Sequence, residues 1–184
     1  MLLPLAPQPY TPPTDRDMLP SERREFVHTH RTAVFGYRRR NDGPAMSVVY
    51  YIPTDGDELL VSTMAGRGKA RVVARDGKVS LCVLDERWPF SYLQVYADAT
   101  VDADRALSID VMMAVAGRMS GQPVGEEGRP AVTAMCEREQ RVVIRCRPYS
   151  TFVTPPRHLY SNEQVEQLSH WASGVLPWNA PDSS

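Results

Sequence analysis

The sequence is short of cysteine, of long apolar runs and of net charge, and each scarcity removes a class of protein. Cys82, Cys136 and Cys146 are odd in number and widely spaced, without the CxxC or Cys/His spacing of a metal site. They are expected to be reduced, buried thiols, which fits a cytoplasmic protein. The formal charge of −1 lacks the basic balance of a general nucleic-acid binder. No stretch approaches the roughly 20 apolar residues of a membrane span. The N-terminal MLLPLAPQPYTPPTDRD has no basic n-region and is broken by Pro4, Pro7 and Pro9, so it is expected to be an extended arm over residues 1–20, not a signal peptide. His28, His30, His158 and His170 show no ligand or nucleophile spacing; no metal is expected and no catalytic residue is assigned. What remains is 184 residues, enough for one domain that buries roughly 70% of its unfolded surface.

The chemistry that is present concentrates between Glu58 and Glu86. An apolar strand, Leu59 to Thr63, ends in small hydroxyl residues, passes a Gly-Arg-Gly turn and enters a basic segment with no acid until Asp76. Backbone N–H groups at a helix start are unpaired and carry the positive end of the dipole, so this is an anion seat. Ser62 and Thr63 offer hydroxyls, and Lys69 and Arg71 offer charges. It is not a Walker loop, because Thr63 stands where the first glycine belongs and Ala70 follows Lys69. Nor is it a dinucleotide fingerprint, because Arg71 occupies the position that needs Gly or Ala. A solvated basic helix without a ligand is the alternative that spacing alone leaves open.

Around this segment the pattern is mainly β. Strands are expected at Thr32–Arg38, Ala45–Ile52, Leu59–Thr63, Val79–Leu84, Tyr92–Val101 and Arg141–Arg147, with Asn41-Asp42-Gly43 and Thr54-Asp55-Gly56-Asp57 as turns that tolerate positive φ. Tyr92–Val101 alternates cleanly, placing Leu93, Val95, Ala97, Ala99 and Val101 on one face. Helices are expected at Ser21–His30, from Asp102 or Asp104 to about Met119, from Pro130 to about Glu137, and after a capping box at Ser161. Gly117–Gly128 is expected to be a loop. About six antiparallel strands with few, peripheral helices describe a barrel.

In order and spacing these motifs resemble the flavin-binding split-barrel superfamily that includes pyridoxamine phosphate oxidase, and within it the branch using the deazaflavin coenzyme F-420. The carrying segments are DGPAMS (42–47), DGDELLVST (55–63), KARVV (69–73), VSLCV (79–83), YLQVYADATV (92–101) and RVVIRCRP (141–148). The resemblance covers Ser21 to Val153, leaving 154–184 as a C-terminal extension with a short helix, packed on the same domain. It implies a homodimer with cofactor at the interface: the ring against Ser47, Val48 and Val49, the phosphate at Ser62, Thr63, Lys69 and Arg71, and Trp88, Tyr92 and Gln94 closing the pocket from the second subunit. The implied activity is F-420-dependent hydride transfer to a conjugated small-molecule acceptor, with Tyr50, Tyr92 or solvent as proton donor. FMN chemistry of the pyridoxamine phosphate oxidase kind, or non-catalytic flavin binding, are the alternatives. Arg38, Arg39 and Arg40 are candidates for the coenzyme's acidic oligoglutamate tail. Three departures stand out: Val72 replaces the family asparagine, Val48 replaces the usual proline after the strand serine, and the turn before it is one residue shorter.

Overall fold

A computed structural model describes residues 1–2, 8–13, 17–88, 90–153 and 174–182. The expected helix at Ser161, together with His158, His170 and Trp171, lies outside the described residues. Seven strands follow one another through an antiparallel sheet in the order β2-β1-β5-β6-β7-β4-β3, with β8 paired to β7 outside that path. The strands are β1 (Thr32–Tyr37), β2 (Ala45–Tyr50), β3 (Ile52–Pro53), β4 (Leu59–Met64), β5 (Lys78–Asp85), β6 (Ser91–Asp102), β7 (Arg141–Val153) and β8 (Gly174–Pro177). The edge strands β2 and β3 are consecutive in the chain, separated only by Tyr51, so the curled sheet almost closes on itself. β3 pairs with β4, whereas among the described residues β2 pairs with β1 alone. The barrel is therefore split between β2 and the end of β4.

Alternation builds the interior. Phe35, Leu81, Val83, Leu93, Val95, Ala97 and Ile144 are fully buried within it, and Phe26 and Val27 of α1 (Pro20–Thr29) plug one end. Pro20 fits the first turn of α1, where no N–H is needed, and Glu22 accepts from the Leu19 amide at 2.8 Å. β4 is buried on both faces: Leu59 and Val61 enter the barrel, while Leu60 lies with Ile52 and Val143 beneath Val111 and Val115 of α3 (Arg105–Ser120). Asp104 caps α3 by accepting from the Leu107 amide at 2.6 Å. The remaining helices are α2 (Gly68–Asp76) and α4 (Arg129–Arg138), the latter preceded by a 3-10 turn at Glu126–Gly128.

Several expectations change in detail. Among the described residues strands number eight, not about six, because the Ala45–Ile52 run divides at the buried Tyr51 and the C-terminal segment adds β8. The Asn41-Asp42-Gly43 hairpin is present, with Tyr37 opposite Ala45, but none of these three residues adopts positive φ; a seven-residue connection turns the chain without it. At the next turn positive φ falls on Asp57, at 60°, not on Gly56. α3 runs to Ser120, into the segment expected as loop. Cys82 is half-buried, on the outer sheet face, while Cys136 and Cys146 are buried; all three are free thiols.

Candidate functional site

The split between β2 and β4 opens into a groove of about 540 Å³. β2 contributes Ser47, Val48, Val49 and Tyr50, and β4 contributes Ser62, Thr63 and Met64. The start of α2 supplies Arg67, Gly68 and Lys69; Met112, Val115 and Met119 of α3 form an apolar wall, and Tyr37 and Arg141 complete the lining. The groove straddles two faces because residues alternate along each strand. Thr63 follows Val61 toward the barrel interior, and Ser62 follows Leu60 toward α3. Likewise Val49 is buried and Val48 is 74% exposed.

The helix start at Arg67–Gly68 is the electrostatic centre of this groove. α2 has no acid in its first turn and no side chain capping it, so the amides of Gly68, Lys69 and Ala70 lack intrahelical acceptors. Tyr37 is held close: a Cβ added at Gly68 would stand 3.4 Å from its hydroxyl oxygen, so a side chain there would crowd the seat. Lys69 is half-buried, its ammonium 5.4 Å from the Phe35 ring centroid. Burial, then Arg67 and Arg141, push its pKa below the usual lysine value. Arg141 is itself held by Glu139 at 2.6 Å. The hydroxyl oxygens of Ser47 and Ser62 are buried without hydrogen-bond partners among the described residues. Buried polar groups rarely go unpaired, so two orphans lining one groove, beside unpaired amides and a partly desolvated cation, fit an anionic, hydrogen-bonding ligand.

Of the residues named from sequence, Ser47, Val48, Val49, Ser62, Thr63 and Lys69 meet in this groove. Arg71 does not: it is exposed, two residues beyond Lys69, and 200° of helical rotation turns it away from the groove. Arg67, which the sequence marks only as the middle of a Gly-Arg-Gly turn, lines the groove as well. Trp88 sits 76% exposed between β5 and β6. Tyr92 and Gln94 pair with Leu84 and Cys82 on the outer sheet face, separated from β2 by β1 and β5, so within one chain none of the three reaches the groove. Met112, Val115, Met119 and Arg141 could not be found from sequence, since only the fold brings α3 and β7 to the split. Among the described residues, no cluster of three or more His, Cys, Asp or Glu side chains is arranged to hold a metal, and no helix is long and apolar enough to cross a membrane.

Comparison places this geometry among known folds. A family model described as pyridoxamine 5'-phosphate oxidase matches residues 19–148. The conserved hypothetical protein Rv2991 from Mycobacterium tuberculosis superposes with a TM-score of 0.67 at 24% identity, covering 82% of this chain and 92% of that one. A structure described as an F420 reductase superposes with a TM-score of 0.52 at 22% identity, over 66% of this chain and 88% of its own. A heme binding protein from Mycobacterium smegmatis gives 0.55 at 13% identity, over 89% of this chain and 59% of its own. At these identities the likeness is one of fold. No curated protein matches the sequence.

Proposed function

Because the chain belongs to the pyridoxamine 5'-phosphate oxidase family, whose split barrels bind flavins, we propose that it is an oxidoreductase holding the deazaflavin coenzyme F-420 in the β2–β4 groove and serving a conjugated organic acceptor. The observation that carries this reading is the uncapped start of α2 facing the groove with Lys69 and Arg67 beside it. The coenzyme's phosphate diester would accept from the Gly68 and Lys69 amides, and the Ser62 and Ser47 hydroxyls would donate to the groups that follow it. When bound, the coenzyme supplies hydride transfer. The protein's part is to orient the ring along β2, where Ser47 and Val49 line one side, and to exclude water with the Met112, Val115 and Met119 wall. Tyr50 lines the groove and Tyr92 does not, which favours the Tyr50 hydroxyl over that of Tyr92 as proton donor to the acceptor.

A phosphate seat alone suits FMN equally. A basic surface favours the longer cofactor. Arg71 and Arg75 lie one turn apart and share one face of α2, Arg67 stands at its N-cap, and Arg75 donates to the Arg38 carbonyl at 3.2 Å, bringing the Arg38-Arg39-Arg40 loop alongside. Among the described residues, the acids paired with these seven cations, Lys69 included, are Asp76 and Asp42. Bases at a helix N-terminus oppose the dipole and like charges four apart repel, a cost that an acidic tail would remove. Val72, in place of the family asparagine, does not line the groove.

The reading includes a cytoplasmic homodimer. The outer face of β2 exposes Met46 at 70% and Val48 at 74%; a second copy packed there would cover them and could bring its own Trp88, Tyr92 and Gln94 toward this groove. The test is turnover: reduced coenzyme F-420 should be oxidised by the purified chain in the presence of quinones or enones. Turnover with reduced FMN alone would replace the cofactor assignment, and tight binding without turnover on any acceptor would make the protein a carrier.

A further inference from the structure

Of the 21 basic residues only Lys69 and Lys78 are lysines, and the two are placed in opposite circumstances. Lys78 is a surface lysine, 63% exposed, paired with Asp98 and lying 4.6 Å from the Tyr149 ring centroid. Lys69 is half-buried in the groove, over Phe35, with Arg67 and Arg141 as the charges that reach it and Tyr37 and Tyr50 as the phenols that share its cavity. Glu139 is spent on Arg141, and no carboxylate is within ion-pair reach of Lys69 among the described residues. Of the three basic side chains that line the groove, Arg67, Lys69 and Arg141, Lys69 is the one that can lose its proton. Arginine stays charged at any physiological pH; an amine that is desolvated and crowded by other cations becomes a nucleophile.

We propose that Lys69 is a carbonyl-reactive amine, and that the groove, when free of cofactor, takes up a phosphorylated aldehyde as an imine on this lysine. The inference rests on the reading of the α2 start as a phosphate seat, and adds a covalent partner to it. The neutral ε-amine attacks the carbonyl carbon and forms the C–N bond. The former carbonyl oxygen is protonated and leaves as water, and the amine gives up its protons as the C=N bond closes; one water is released and nothing is oxidised or reduced. The aldehyde's phosphate meets the Gly68 and Lys69 amides and Arg67, which holds the carbonyl within reach of the amine. A bound cofactor phosphate would occupy the same amides and raise the lysine's charge, so the reaction belongs to the empty groove.

The test treats the full chain, freed of cofactor, with glyceraldehyde 3-phosphate or glyceraldehyde, traps imines with cyanoborohydride and maps the adducts by mass spectrometry. Lys69 should be labelled about tenfold more by the phosphorylated aldehyde, the worth of one charge-assisted phosphate contact. Lys78 and the N-terminal amine should respond to both aldehydes alike. Lys69 labelling should rise with pH through a lower midpoint than that of Lys78. Lys69→Arg, shown folded by circular dichroism, should lose the selective adduct, and Lys78→Arg should keep it. Equal labelling of Lys69 by the two aldehydes, or no excess over Lys78, overturns the proposal. If coenzyme F-420 binds while Lys69 stays unlabelled, this inference alone falls; if Lys69 is labelled selectively but no flavin binds, it stands and the cofactor reading falls.

Discussion

Lys69 and Arg71 differ by two positions and by the side of α2 on which they end, and that difference is measurable. Lys69→Ala should weaken coenzyme binding roughly 10- to 100-fold, the range for hydrogen bonds to charged groups, with Arg67→Ala next. Arg71→Ala should change affinity less than Lys69→Ala and only for cofactor carrying the acidic tail, as fluorescence titration with and without that tail would reveal. His30 offers a second test at this scale. It is 5% exposed, with Nδ1 2.7 Å from the Phe26 carbonyl and Nε2 3.5 Å from Asp85. Burial holds its pKa below 6.5 despite both acceptors. A depressed pKa means that the unfolded chain binds the proton more readily, so this contribution to stability is present above pH about 6.5 and is lost as pH falls through the lower folded value. Asp85 has the same sign further into acid: burial raises its pKa, but Arg87 outweighs burial and holds it low. Denaturant midpoints should therefore fall on acidification below neutrality, and His30→Asn should flatten that slope; a midpoint that rises in acid contradicts the assignment.

At the scale of elements, legibility followed periodicity. Tyr92–Val101 could be read because Leu93, Val95, Ala97 and Ala99 alternate without interruption, and all four are buried. β7 was read only to Arg147, because Pro148 suggests an end. The strand instead absorbs the proline at a bulge, where the pairing shifts between Tyr96–Ser150 and Ala97–Pro148, and continues to Val153. β8 has four residues, too few for a pattern, and is defined by its partner. α2 was visible as a basic segment, but which of its charges faces the groove depended on where the helix begins, which is Gly68. Its end is equally specific: Gly77, at φ 62°, donates its amide to the Val73 carbonyl at 2.9 Å. Gly77→Ala should cost about 1 kcal/mol in denaturant unfolding, and Asp104→Ala, which removes the α3 cap, a similar amount.

For the whole molecule, the barrel class could be read from motif order, whereas most of the groove could not. Ser47, Ser62 and Lys69 carry recognisable motifs, but Met112, Val115, Met119 and Arg141 reach the site only because α3 lies across β4 and β7 begins at the split. The exposed Met46 and Val48 make assembly part of the account. The protein should sediment as a dimer, and Met46→Glu with Val48→Asp should shift it toward monomer and weaken coenzyme binding together. The central claim is that the start of α2 seats the phosphate of a flavin-type cofactor in the β2–β4 split. It is tested most directly by titrating the cofactor-free protein and its Lys69→Ala variant with coenzyme F-420 and with FMN, following cofactor fluorescence. The account predicts saturable binding of coenzyme F-420, at least about tenfold weaker in the variant. Saturable binding that Lys69→Ala leaves unchanged, or no binding of either cofactor, would contradict it.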